Sequence, residues 1–184
     1  MDNKKKEGWK KDIIEFVKTF LPAAAVAWIL LTYFIVNAAI PSASMEPTLM
    51  TGSRVIGNRL AYQKESPKRG DIIIFRFPDN PDLYYIKRLI GLPGDTVEIV
   101  PNESGDGYGY VKVNGEKRKE GETVTRMRVD HYECYKVPEN HYFFMGDNRN
   151  NSHDSRYWNH TFVSKDQIVA KAVFQYWKEF RKIG

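Results

Sequence analysis

The chain has 184 residues, 42% of them hydrophobic, and a formal net charge of +5; that suits one domain plus an appendage and excludes a disordered composition. No Lys/Arg cluster interleaved with aromatics stands outside the N-terminus, which argues against nucleic acid as a partner and fits anionic lipid headgroups at least as well. A single cysteine, Cys134, excludes an intramolecular disulfide.

The N-terminus divides into a basic segment over 1–19 and an apolar run over 20–40, FLPAAAVAWILLTYFIVNAAI, which carries no charge over 21 residues. At about 1.5 Å per residue such a helix spans roughly 31 Å, the thickness of a bilayer core. A cleavable signal peptide has an apolar region of only about 7–15 residues. Lys4, Lys5, Lys6, Lys10, Lys11 and Lys18 precede the run, and no Lys or Arg follows it until Arg54. That asymmetry places the N-terminus in the cytoplasm and residues 41–184 on the extracytoplasmic face. Trp9, Ile13, Phe16, Val17, Phe20 and Leu21 recur at helical spacing and predict an interfacial lead-in, with a kink at Pro22.

Beyond Ile40 the period becomes strand-like. SRVIGNRLAY, GDIIIFRF, LYYIKRLIG, DTVEIV, YKVPENHYFFMGDN and QIVAKAVFQYW are short β-branched and aromatic runs bounded by Gly, Pro and Asp. Asn114-Gly115 in VKVNGEKRK is a two-residue hairpin signal. The expectation is a mostly β, antiparallel catalytic domain over 41–184, with a hairpin-rich excursion near 101–138 and no long helix after residue 40.

Three constellations carry chemistry. Ser44, in PSASMEPTL, lies between Pro41 and Pro47, which limit the backbone around it. A serine nucleophile also needs a base. The histidines His131, His141, His153 and His160 show no metal-ligand spacing, and His153-Asp154 are neighbours that point oppositely in an extended chain. In LYYIKRLIG the alternation puts Tyr85, Lys87 and Leu89 on one strand face and Ile86, Arg88 and Ile90 on the other. A buried Lys87 would lose its proton more easily; the other reading is a lysine snorkelling to solvent. The segment Phe143 to Arg156, FFMGDNRNNSHDSR, is dense in hydrogen-bonding groups; it reads either as a support for a buried charge or as a polar surface loop.

In order, PSASMEPTL, RGDIIIF, YYIKRLIGLPGD and GDNRNNSHDSR resemble the sequence boxes of bacterial type I signal peptidases, membrane-bound Ser-Lys endopeptidases. With the anchor, the resemblance covers nearly the whole chain. It implies Ser44 as nucleophile and Lys87 as general base. It implies Ser42 as an oxyanion donor beside the Ser44 N–H, and Ser152 as a hydrogen-bonding partner that orients Lys87. It further implies ion pairs of Arg88 with Asp147 and of Asp154 with Arg156. Ile40, Pro41, Met45, Leu49, Tyr85 and Ile86 would line shallow pockets for the small residues before the cut. Asn150 stands where the family often has Asp, and Ala43 where Gly is frequent. No metal or cofactor is implied. The partners would be preproteins bearing signal peptides, met at the secretion translocon, and the lipid bilayer of the cell membrane.

Three rivals remain from the sequence. A Ser-Lys self-cleaving domain keeps the chemistry but changes the target. A membrane-anchored transpeptidase would use Cys134 with His131, although Cys134 also reads as a small core residue. A non-enzymatic membrane-anchored binding module would not need Ser44.

Overall fold

A computed structural model describes residues 3–119 and 121–183; the first two residues of the basic segment, residue 120 of the excursion and residue 184 lie outside them. The chain divides into two units, residues 1–35 and 36–184.

The first unit is helix α1, Asn3–Tyr33. Within it, 25 residues from Trp9 to Tyr33 are long and apolar enough to cross a membrane, with a mean hydropathy of 1.8. Phe16, Leu21, Trp28 and Leu31 are exposed along it, and the Phe16 and Phe20 rings stack at 4.1 Å, one turn apart. The basic lead-in and the apolar run form one helix, which continues through Pro22 at the loss of one i→i−4 bond.

The expected apolar span over 20–40 is corrected at its far end. Phe34 N–H donates to Leu30 C=O at 3.0 Å, and the chain then turns into strand β1, Ile35–Ala39. The β-branched pair Ile35-Val36 favours extended backbone, and β1 finds its neighbour in a sheet rather than in a further helical turn. Asn37 on β1 accepts a hydrogen bond from the Tyr176 hydroxyl at 2.8 Å.

Among the described residues, the second unit carries twelve further strands in chain order: β2 Arg54–Asn58, β3 Ile72–Phe77, β4 Asn80–Gly91, β5 Thr96–Pro101, β6 Tyr108–Val113, β7 Glu116–Lys117, β8 Met127–Arg128, β9 Glu133–Lys136, β10 His141–Met145, β11 Val163–Ser164, β12 Ile168–Tyr176 and β13 Arg181–Lys182. Two short 3₁₀ turns, Ala43–Met45 and Lys165–Gln167, are the helical elements described there. The larger sheet has eight strands in the order β1-β2-β12-β3-β4-β10-β11, with β13 beside β12. The smaller has five, β7-β6-β5-β9 with β8 beside β6. The excursion is therefore a sheet of its own that begins at Thr96, five residues before the predicted boundary. Asn114 and Gly115 both have positive φ, 53° and 83°, as the hairpin between β6 and β7 requires.

Three apolar clusters hold these layers. Ile90, Phe143 and Met145 from the large sheet pack with Val97, Ile99, Val111 and Met127 from the small one. Phe75, Phe77, Phe144 and Trp158 form an aromatic cluster on which Tyr85 packs, with the Phe77 and Tyr85 rings stacked at 4.3 Å. Ile40, Met45, Leu49, Val55, Ile72, Ala172 and Ile183 form the third. β4 threads all three, since Tyr85 and Leu89 face the aromatic cluster, Ile86 the third and Ile90 the first.

Candidate active site

The PSASMEPTL segment leaves β1 at Ile40 and enters the 3₁₀ turn Ala43–Met45. The turn forms because its apolar side chains have somewhere to go. Met45 and Leu49 are fully buried in the third cluster, each side chain stabilising the loop by roughly 1.5–3 kcal/mol of burial. This corrects their expected role. Met45 and Leu49 anchor the loop from below and do not line the cleft, whereas Ile40, Pro41, Tyr85 and Ile86 do. The loop is held elsewhere by Gly52 N–H to Ile40 C=O at 2.8 Å and by Arg181, which donates to the Thr48 carbonyl.

With Met45 turned inward, Ser42 and Ser44 face a cleft of about 410 Å³ between β1 and β4, also lined by Ala38, Ala39, Tyr84, Asn151 and His153. The Ser42 and Ser44 hydroxyl oxygens are 3.3 Å apart.

Lys87 reaches the same cleft from β4, where it pairs with Ile73 of β3. It is 4% exposed, its Nζ is 2.5 Å from Ser44 Oγ and 5.4 Å from the centre of the Tyr85 ring. Burial drives its pKa down from 10.5 to about 8, against the opposing pull of Asp154 and Asp147 and with a smaller contribution from Arg156. The lowered value corresponds to roughly 3 kcal/mol against the charged form.

The polar segment after β10 encloses this pair. Asp147 and Asp154 are fully buried. Arg88 grips Asp147 with both ends of its fork, at 2.7 and 2.6 Å, and Arg156 grips Asp154 at 2.8 Å twice. Bidentate geometry of this kind offsets the cost of burying the charges. Asp154 also accepts the Gly146 N–H at 2.9 Å. The segment is stitched to the small sheet as well: Asn150 accepts the Arg128 N–H and donates to the Arg126 carbonyl, away from the cleft.

One expected contact is not formed. Ser152 is 9% exposed and its hydroxyl has no partner among the described residues. It lies close to Gly146, where an added methyl group would strike both Ser152 and the Ser44 carbonyl, and it makes no hydrogen bond to Lys87. The Lys87 amine turns to Ser44 instead.

Among the histidines, His153 stands at the cleft rim, edge-on to Phe77 at 6.1 Å. The others are engaged elsewhere: His131 with Glu133, His141 with the Glu139 carbonyl and His160 with Asp79. Cys134 is exposed on β9, in the small sheet, which corrects its reading as a core residue; it does not line the cleft.

Gly146, Asn148 and the threonines around Asp147 have no separate assignment from the sequence. Thr48 donates to Asp147 at 2.5 Å and lies 2.9 Å from the Thr123 hydroxyl, and Thr125 N–H donates to the Asp147 carbonyl at 3.0 Å. Gly146 and Asn148 sit inside the GDNRNNSHDSR block, so the block marks the region but not their individual parts.

An antiparallel β fold here brings a serine hydroxyl within hydrogen-bond reach of a buried amine at an open cleft, the pairing that nucleophilic catalysis by serine requires. The chain belongs to the signal peptidase family, peptidase S26, whose model matches residues 13–177. It is 34% identical to signal peptidase I of Pseudomonas aeruginosa over 85% of this chain and 66% of that one, just under two thirds of the relative's length. It is 36% identical to signal peptidase I of Aquifex aeolicus over 89% of this chain and 83% of that one. With signal peptidase I S of Bacillus subtilis the identity is 34%, over 94% and 95% of the two chains. A crystal structure of a signal peptidase I from Enterococcus faecalis, at 32% identity, overlays with a TM-score of 0.46 over 58% of this chain and 97% of that one.

Proposed function

We propose that this chain is a membrane-anchored endopeptidase that removes signal peptides from exported preproteins, with Ser44 as nucleophile and Lys87 as general base. The observation that carries the reading is the 2.5 Å approach of a buried amine to the Ser44 hydroxyl at the floor of a cleft. Neutral Lys87 takes the Ser44 proton as Ser44 Oγ attacks the substrate carbonyl. The Ser44 N–H and the Ser42 hydroxyl hold the resulting oxyanion, an interaction typically worth a few kcal/mol per donor. The leaving amine receives the proton from Lys87, and the acyl-enzyme is hydrolysed by a water that Lys87 deprotonates.

The substrate docks in extended form between β1 and β4, where main-chain hydrogen bonds give affinity and the small cleft selects small side chains before the cut. Ala38, Ala39 and Ile86 are among the residues that line this cleft. The apolar stretch of α1 serves as a single-pass anchor with the N-terminus cytoplasmic. The catalytic unit then works on the extracytoplasmic face, where signal peptides delivered by the translocon emerge from the bilayer.

The deciding experiment is cleavage of a preprotein in detergent or vesicles by wild type, Ser44→Ala and Lys87→Met. Loss of at least about 10³-fold in both variants is expected, in line with removal of a nucleophile or its base. Wild-type turnover in either variant removes the dyad from the mechanism.

A further inference from the structure

Ser44 has both of its flanking carbonyls held by one residue from another part of the chain. Asn148 donates its main-chain N–H to the Ser44 carbonyl at 3.1 Å and its side-chain Nδ2 to the Ala43 carbonyl at 3.1 Å. Asn148 does not line the cleft; it grips the nucleophile turn from behind. It is itself fixed, because Asn151 N–H donates to its carbonyl at 3.0 Å and its neighbour Asp147 is locked by Arg88 and Thr48.

The consequence follows from peptide geometry. The Ala43 carbonyl and the Ser44 N–H are opposite ends of one planar trans unit and point in opposite directions. A donor that fixes the carbonyl therefore aims the N–H. The Ser44 N–H occupies the second position of the 3₁₀ turn, where an intrahelical acceptor is lacking, so no helical bond orients it. The Glu46 N–H donates to the same Ala43 carbonyl at 3.0 Å. Two donors on one carbonyl polarise its peptide, by about 10–30% per bond, and strengthen the N–H at the other end as a donor.

We propose that Asn148 is the positioning residue of the oxyanion hole, an inference that rests on the proposed role of the Ser44 N–H. Asn148 touches neither substrate nor Lys87. It fixes the direction of the donor and makes it a better one, and this matters only once charge has formed on the substrate oxygen. Its removal therefore lowers turnover and spares binding.

The test compares wild type, Asn148→Ala, Asn148→Asp and Ser44→Ala on a peptide spanning a signal-peptide cleavage site. Asn148→Asp keeps the size and the main-chain bond but replaces the Nδ2 donor with an oxygen facing the Ala43 carbonyl. For both Asn148 variants kcat is expected to fall about 10- to 100-fold, less than the ~10²–10³ of a donor removed outright. KM should stay within about threefold, and the pH midpoint of activity should not move, since Lys87 is untouched. A kcat within about twofold of wild type in either folded variant overturns the inference, as does a loss confined to KM or a displaced pH midpoint. If Asn148→Ala does not fold, Asn148→Asp decides. Failure of both to fold makes Asn148 a stability residue and overturns the inference too. A wild-type-like Asn148→Ala beside an inactive Ser44→Ala defeats the positioning role alone, whereas an active Ser44→Ala defeats the proposed function beneath it.

Discussion

Lys87 Nζ and Ser44 Oγ lie 2.5 Å apart although they stand 43 positions apart in the chain, and Lys87 is 4% exposed. An ordinary lysine is charged at neutral pH and cannot accept a proton. Burial brings this one to about 8, so the neutral fraction climbs through that value. Activity is expected to rise about tenfold between pH 7 and 9 and to level off above, on the fraction of base in its neutral form. The measurement is kcat/KM against pH on a peptide substrate whose own groups do not titrate in that range. A midpoint at 10 or higher would mean that Lys87 is solvated in the working enzyme, and a flat profile would remove it as the base.

The same lowered pKa has a consequence for stability. Unfolded, Lys87 holds its proton up to about 10.5; folded, it releases it near 8. Between those values the unfolded chain binds more protons, so stability rises with pH across the window. Below about pH 8 the cost of the buried cation is present in full. Lys87→Met, which replaces the amine with an apolar chain of similar length, is therefore expected to stabilise the fold by up to roughly 3 kcal/mol at pH 7. The gain should shrink between about pH 8 and 10.5 and vanish above. Denaturant melts of Lys87→Met beside wild type at pH 7 and 10.5 check the sign. Equal differences at both values would show that burial is not the cause.

The alternation of LYYIKRLIG makes the environment of Lys87 legible in the sequence itself, because the period of a strand fixes which neighbours share a face. Tyr85 and Leu89 do flank Lys87 on the aromatic cluster. The apolar run is legible as a helix but not in its end, because the residues that follow Tyr33 are as hydrophobic as those before and differ only in their sheet neighbour. Met45 and Leu49 are misplaced by the sequence for a related reason. A loop without a period gives no face, so the inward turn of Met45 has no local signal. Ser152, Gly146 and Asn148 depend on contacts between segments some hundred residues apart, which no local pattern encodes.

Gly146 is expected to tolerate no side chain. A Cβ there would stand 2.6 Å from Ser152 Cβ and press on the Ser152 hydroxyl and the Ser44 carbonyl. The Ser44 main chain on one side and the buried Ser152 on the other leave it little to displace. Gly146→Ala should push the Ser44 turn away from Lys87, and a misplacement of about 1 Å can cost ~10²-fold in rate. Overpacking should lower stability by only about 1–3 kcal/mol. Single-turnover cleavage and thermal melts on the same preparation separate the two effects. Near-wild-type turnover would mean that the Ser44 turn does not depend on this close approach.

Residues beneath the Ser44 turn and residues beside it should respond differently to substitution. Met45 is fully buried in the third cluster and absent from the cleft, so Met45→Ala is expected to cost about 2–5 kcal/mol of stability. Among molecules that remain folded, the relative rates on peptides with alanine, serine or valine before the cut should stay as in wild type. Ala39 is exposed and lines the cleft. Ala39→Phe has no core to disturb but fills the space that an extended substrate must enter, so KM should rise by about tenfold or more, with the melting temperature within a few degrees of wild type. Competition assays with the three peptides, run beside thermal melts, decide the matter. If Met45→Ala changed the order of preference while the fold stayed intact, Met45 would have to reach the substrate, and the assignment of the third cluster as a support beneath the Ser44 turn would fail.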